Sequence, residues 1–209
     1  LMTAAEKTGM VDIVFDCPVK SIDLIHQCVN HERGTMSVDF PIFGTDGAAS
    51  VVRNTINQMA GQKSKLDPLG HSYKELTILP GENGSFKLEK NCLHIWPRGK
   101  YMLIALPNVD GSFTCTLFLP NSGEPSFETL TTHVQIRNFF KQQFPDAVQH
   151  LHELEQTFLE NPTGTLGTVY TDNWHWEDKL CLLGDAAHAV VPFFGQGMNA
   201  SFEDCMVLT

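Results

Sequence analysis

The chain has 209 residues, 42% hydrophobic and 18% charged, with a formal net charge of -10 at pH 7. That length suits one large domain or two small ones, and the composition buries a real core and excludes a disordered chain. The acidic balance excludes nucleic acid as a partner, since phosphate binding needs a basic footprint, and disfavours an anionic membrane surface. No stretch approaches the roughly 18 apolar residues of a membrane span. Residues 1–9 carry no apolar run and no cleavage pattern of a signal peptide. The chain begins at Leu1 rather than Met and stops inside an uncapped helical pattern at residues 202–209, so both ends read as cut. Six cysteines, none in a C-x-x-C pair, read as buried free thiols in a reducing compartment.

In chain order, residues 2–9 read as the end of a helix closed by Gly9, and Val11–Phe15 as a short strand. Cys17–Ile25 is a second strand bent at Pro18, and Thr35–Asp39 returns as a hairpin partner after the polar turn Asn30–Gly34. Gly44–Gly47 is a turn cluster, and Ala48–Gln58 reads as a helix. Gly61–Gly70 is polar and suits a crossing between domains. Tyr73–Leu79, Cys92–Trp96, Tyr101–Leu106 and Ser112–Leu119 are strand candidates separated by Pro/Gly turns at hairpin spacing, which predicts an antiparallel sheet. Ser126–Phe144 switches to helical spacing, with Ser126 as N-cap and Phe127, Leu130, Val134, Phe139 and Phe140 along one face. Pro145 to about Leu154 is a further short helix. Thr168–Thr171 and Lys179–Leu183 are strands, and a helix starts near Met198. The predicted organisation is an α/β portion over 1–60, an inserted antiparallel sheet with helices over 61–167, and a return to the α/β portion over 168–209. The default place for an active site is between the two parts.

The most informative segment is Leu180–Asp204. An apolar strand ends at Asp185, where a carboxylate accepts hydrogen bonds from sugar or polyol hydroxyls. Pro192–Gly197 follows as a turn of little bulk, over which the backbone can approach a flat ligand. The helix near Met198 points its free N–H groups and positive dipole end at that ligand, which favours an anion. Gly195-x-Gly197-x-x-Ala200 also matches a relaxed dinucleotide fingerprint, but the preceding strand ends about ten residues too early for it.

The run G-D-A-A-H followed by P-F-F-G-Q-G-M-N-A-x-F-E-D resembles the second flavin motif of the class A FAD-dependent aromatic hydroxylases. The D-G motif of that family resembles Asp46–Arg53, G-T-D-G-A-A-S-V-V-R with its flanks. The P-F-F-G-Q-G-M-N-A run, Glu75–Ile78 and Cys92–Leu119 resemble, more narrowly, the kynurenine-hydroxylating branch. Together these regions span nearly the whole chain in the family's order.

The resemblance implies an α/β fold: a partial FAD-binding domain, Rossmann-like and of the para-hydroxybenzoate-hydroxylase type, with an inserted antiparallel β-sheet substrate domain. It implies FAD as cofactor, NADPH as reductant, and ortho-hydroxylation of L-kynurenine with O2 to give 3-hydroxykynurenine. Asp185 would hold the ribityl chain, with Gly197, Met198 and Asn199 meeting the flavin ring through backbone N–H groups. Asp46 and Gly47 would lie near the pyrophosphate, supported by Arg53, with Val19 on the adenine side. Pro192, Phe193, Phe194 and Gln196 would line the space beside the flavin, and Leu76, Ile78 and Trp96 would be the sheet's contribution. No side chain is assigned as catalytic acid, base or nucleophile, because the cofactor carries the chemistry. The family's first motif, G-x-G-x-x-G, and its early Arg-and-Tyr pair are not in this sequence, so the resemblance implies an incomplete flavin site. A related hydroxylase of another aromatic substrate, or a truncated non-catalytic product, therefore stays open. The implied compartment is the cytoplasm for a bacterial parent and the mitochondrial outer membrane for a eukaryotic one.

Each residue also has a structural reading. Asp185 could cap its turn, Asp46 could be an ordinary turn residue, and Arg53 could pair with a surface carboxylate. Leu76, Ile78, Trp96 and one of Phe193 and Phe194 could be core. His188 reads as ordering its loop by hydrogen bonding rather than as a base. Glu203 and Asp204 read as complementing the last helix's dipole. His150-x-His152 and Trp174-His175-Trp176 lack a complete ligand set, so no metal is expected.

Overall fold

The computed structural model describes residues 1–209, apart from the side chain of Phe194. The chain divides into two compact units, Leu1–Asp67 with Thr168–Thr209, and Pro68–Gly167. The first crossing thus falls within the polar stretch Gly61–Gly70, inside a strand.

The first unit opens with helix α1 (Met2–Glu6). A three-stranded antiparallel sheet follows: β1 (Val19–Asp23), β2 (Cys28–His31) and β3 (Gly34–Ser37). The β1–β2 turn is held by the Asp23 carboxylate, which accepts from the Ile25 and His26 N–H groups, each at 3.0 Å. The expected strand Val11–Phe15 does not form. Val14 and Phe15 are exposed and no strand pairs there, so their apolar character has no ladder to join. Strand β4 (Ile42–Gly44) leads to helix α2 (Val51–Ala60). That helix starts three residues beyond the expected Ala48 because Ser50 caps it, accepting from the Arg53 N–H at 2.9 Å. It ends at Gly61, whose φ of 65° is the left-handed conformation that glycine adopts freely.

The second unit is built on β5 (Lys65–Ile78), β6 (His94–Arg98), β7 (Tyr101–Pro107) and β8 (Phe113–Pro120). Helices α3 (His133–Gln143) and α4 (Leu154–Glu160) precede β9 (Gly164–Tyr170). The sheet order is β6-β7-β8-β5-β9, and the pairs β6–β7, β7–β8 and β8–β5 are antiparallel. Alternation puts Leu103 and Ala105 of β7 on the same buried face as Cys115, Leu117 and Leu119 of β8. That face meets Ile136, Phe139 and Phe140 of α3 and Phe158 of α4 in one core.

The helices differ from their expected spans. A capping box between Thr132 and Gln135 starts α3 seven residues after Ser126, and Ser126 is buried in a turn with Thr129 instead. Val134 is exposed, so the apolar face runs through Ile136, Phe139 and Phe140. Residues 145–150 are turns, and the second helix is displaced to α4.

The chain returns through β10 (His175–Trp176), β11 (Leu180–Leu182), the one-turn helix α5 (Asp185–His188), a 3-10 turn over Pro192–Phe194, and α6 (Gly197–Leu208). Strand β11 lies parallel to β4 and antiparallel to β10. Val52 and Ile56 of α2 pack on Leu180, Leu182, Ala186 and Ala187 to form the first unit's core. Gly44 admits α2 closely: a Cβ there would stand 2.6 Å from the Val52 Cβ. All six cysteines are free, but only Cys115 is fully buried, and burial pushes its thiol up to about 12. Cys92 and Cys205 are exposed, which corrects the expectation of buried thiols throughout. Among the described residues, no helix is long and apolar enough to cross a membrane.

Candidate functional site

In the first unit, both sequence motifs lie at the ends of the paired strands β4 and β11. Leu182 sits opposite Gly44, and the Leu183 N–H donates to the Gly44 carbonyl at 2.9 Å. Beyond β4 the chain forms the turn with Asp46 and Gly47. Beyond β11 it turns at Gly184 into Asp185. The C-terminal ends of parallel strands are the usual ligand side of an open α/β sheet.

Asp46 is exposed, and its carboxylate accepts from the Val51 N–H at 2.7 Å and the Val52 N–H at 3.4 Å. It therefore supports the start of α2 alongside Ser50. Gly47 follows with φ 75°, a conformation that L side chains rarely adopt. Arg53 is 6% exposed and does not pair with a surface carboxylate. Its guanidinium donates to the Ala48 carbonyl at 2.5 Å, to the Ala186 carbonyl at 2.8 Å, and to Ser64 Oγ at 3.3 Å. Burial lowers its pKa, and the nearby Asp46 charge acts in the opposite direction. One side chain thus ties the turn after β4 to the turn after β11.

Gly184 has φ 59° and ψ -140°, a region essentially restricted to glycine. A Cβ there would meet Ser201 Oγ at 2.7 Å, so the turn lies directly against α6. Asp185 is exposed at the first position of α5. A Cβ on Gly197 would stand 3.9 Å from Asp185 Oδ1, so the carboxylate stands beside the first turn of α6. No side chain caps the start of that helix at Gln196, and Met198 is 67% exposed. Open N–H groups, a bare glycine surface and a carboxylate at one place form a cradle for a ligand that carries both hydroxyls and a negatively polarised edge.

Pro192, Phe193 and Gln196 are exposed in the turn that leads into α6, and the Asn199 amide donates to Gln196 Oε1 at 3.0 Å. The Phe194 side chain lies outside the described residues. Val19 is exposed at the start of β1, opposite His31. The intervening α5 and 3-10 turn keep Gly195–Ala200 from following a strand directly, as a dinucleotide turn would.

His188 and Asp204 add what the sequence left indistinct. The Asp204 Oδ2 accepts from His188 Nε2 and from the Gly184 N–H, both at 2.7 Å. Ordering of the loop by His188 is therefore physical. Complementing the dipole is not what Asp204 does, since it lies beyond the first turn of α6, where that effect has faded. The only sequence signal for this was an acidic residue on the helix that follows the G-D turn.

In the second unit, Leu76 and Ile78 are 2% and 0% exposed within the core, which leaves them a packing role. Trp96 is half-buried against that core. Its indole N–H donates to Asp146 Oδ2 at 2.7 Å, and its ring stacks on His94.

The chain is 49% identical over its whole length to kynurenine 3-monooxygenase of Myxococcus xanthus (strain DK1622), covering 46% of that protein. It is 47% identical to kynurenine 3-monooxygenase of Dictyostelium discoideum over 97% of this chain and 44% of that protein. The chain thus spans about half the length of the curated relatives it matches. Among solved structures, 2-methyl-3-hydroxypyridine-5-carboxylic acid oxygenase in its tetrameric form shares the fold. The TM-score is 0.72 at 21% identity, over 99% of this chain and 54% of that one. The family model described as FAD binding domain matches residues 1–209, and the chain belongs to that family.

Proposed function

We propose that the chain serves an FAD-dependent monooxygenase that hydroxylates L-kynurenine to 3-hydroxykynurenine with NADPH and O2. The observation that carries this reading is the convergence of Asp185 with the uncapped first turn of α6, in a chain nearly half identical to kynurenine 3-monooxygenases throughout. The cradle fits FAD: it offers a carboxylate for polyol hydroxyls and free N–H groups for the polar edge of a flat ring.

FAD, once reduced by NADPH, supplies the oxygen-activating chemistry. In this reading, Asp185 accepts hydrogen bonds from the ribityl hydroxyls. The N–H groups of Gly197, Met198 and Asn199 stabilise negative charge on the pyrimidine side of the ring. Asp46 and Gly47 line the approach of the pyrophosphate. Arg53 acts through backbone, holding the Ala48 and Ala186 carbonyls so that both turns keep their places. Val19 lies toward the adenine. Pro192, Phe193 and Gln196 flank the aromatic substrate and exclude water.

The test is a pair of measurements on the full-length protein carrying this sequence. Fluorescence quenching should report FAD binding, and Asp185→Ala should weaken it by about tenfold or more. NADPH oxidation should then depend on L-kynurenine and yield 3-hydroxykynurenine. Binding of FAD without turnover of L-kynurenine would refute the substrate. Absence of FAD binding would refute the whole reading.

A further inference from the structure

We infer that Asp204 is a positioning residue for the flavin cradle, setting the Asp185 turn at a fixed separation from the first turn of α6. The inference rests on the proposed function for the identity of the ligand, but its geometry stands independently.

The Gly184 N–H and His188 Nε2, which converge on Asp204 Oδ2 at 2.7 Å each, come from positions 20 and 16 residues earlier in the chain. Those two donors bracket Asp185. Gly184 is the residue before α5, and His188 is its last. One carboxylate oxygen therefore holds both ends of the four-residue element that presents the Asp185 carboxylate. Asp204 itself lies on α6, the helix whose first turn faces Asp185 Oδ1 across Gly197. Both halves of the cradle are thereby fastened to one side chain. The Gly184–Ser201 approach keeps the spacing tight, because the glycine leaves no slack for a Cβ.

The pair is shielded but not sealed, with the His188 side chain 23% and the Asp204 side chain 15% exposed. Hydrogen bonds to an ionised carboxylate in such a site are stronger than neutral ones, and their loss strands the donors. The His188 ring is further held by Trp174, with ring centroids 5.1 Å apart. Glu203, the neighbouring acid on α6, is exposed and makes no such bond among the described residues.

The experiment compares Asp204→Ala, Asp204→Asn and Glu203→Ala in the full-length protein carrying this sequence. It measures FAD affinity, the visible spectrum of the bound flavin, and amide exchange over residues 184–188. Asp204→Ala should bind FAD at least about tenfold more weakly, with a shifted flavin spectrum and faster exchange over 184–188. Asp204→Asn keeps an acceptor oxygen and should stay within about threefold of the parent, and Glu203→Ala should change nothing. Parental affinity and spectrum in Asp204→Ala overturn the inference, as does an equal loss in Glu203→Ala, which marks a general weakening of α6. If Asp204→Ala does not fold, His188→Ala decides. A shifted spectrum with a smaller affinity loss supports the inference, and parental behaviour overturns it. A parent protein that binds no FAD takes the functional reading down with it, and so is distinct from a failure of Asp204 alone.

Discussion

In Pro68–Gly167, seventeen buried residues form one cluster between the sheet and helices α3 and α4. In the other unit, six buried residues form the corresponding cluster, four of them aliphatic residues of α2 and β11 and two of them alanines of α5. Packing dominates the first, although Lys74 and Arg98 also reach across it to the Asn161 and Gln143 carbonyls. The second relies on polar side chains that reach across the sequence: Arg53 to Ala186, and Asp204 to Gly184 and His188. The difference teaches where each unit is vulnerable. A packed core loses stability by volume, while a polar lock loses it by leaving donors and acceptors stranded. The unit that carries the cradle is the locked one, and a site built from two turns needs their spacing held more than it needs bulk.

The largest expected effect sharpens the packed side of this contrast. Phe140 is fully buried and its ring meets Phe139, Phe144 and Phe158. Phe140→Ala should cost about 3–5 kcal/mol in chemical denaturation. A loss below about 1 kcal/mol would mean that the cluster repacks freely and the contrast is false. Next comes Arg53→Ala, which should cost about 2–3 kcal/mol and leave the Ala48 and Ala186 carbonyls without their donor. Arg53→Lys should fail to restore it, because one ammonium cannot reproduce the guanidinium fork. Full rescue by Lys would show that charge alone is what matters at this position.

Gly184→Ala should cost about 1–3 kcal/mol, combining a φ of 59° with the approach to Ser201. Adding Ser201→Gly should recover only the steric share, and complete recovery would argue that the backbone there is unstrained. The smallest effect lies at Asp146, whose carboxyl is held below its ordinary range, first by the Trp96 indole N–H, against a smaller desolvation effect. A depressed carboxyl contributes stability that is complete above its ordinary pKa and is lost as pH falls through the folded value. The pair is solvent-exposed, so thermal unfolding of the parent and Asp146→Ala should differ by only ~0.5 kcal/mol at neutral pH. That gap should close below about pH 4, and a gap that persists in acid would assign it to packing.

Much of this architecture was legible because it rests on local signals. The Pro/Gly turns at Pro97–Lys100 and Pro107–Gly111 marked the hairpins β6–β7 and β7–β8 where they form. The cradle motifs were legible because a strand ending in Gly184-Asp185 and a helix opening at Gly197 each have a residue signature. What was not legible depends on distant partners. Val11–Phe15 looks like a strand on its own and fails for lack of a neighbour. The shifted start of α3 depends on the Thr132–Gln135 reciprocal cap, which a loose apolar period at 126–134 obscured. Arg53 reads in the sequence as a support for the Asp46–Gly47 turn, and Asp204 only as a complement to the helix dipole. Their roles appear only when Ala186 is brought to the one, and Gly184 and His188 to the other.

The parallel pairing of β4 with β11 joins Ile42 to Leu180, with Pro68–Gly167 in between. Closing so long a loop from a disordered chain carries an entropy cost that grows with the logarithm of its length. The sheet order places β5, which carries the chain into the second unit, next to β9, which carries it out. Once that unit has folded, its two ends emerge side by side, and the loop that β4 and β11 must close shrinks to short tethers. The inserted sheet thus acts as an entropic clip on the segments that carry the cradle. Destabilising it should slow their assembly even where it touches none of their residues.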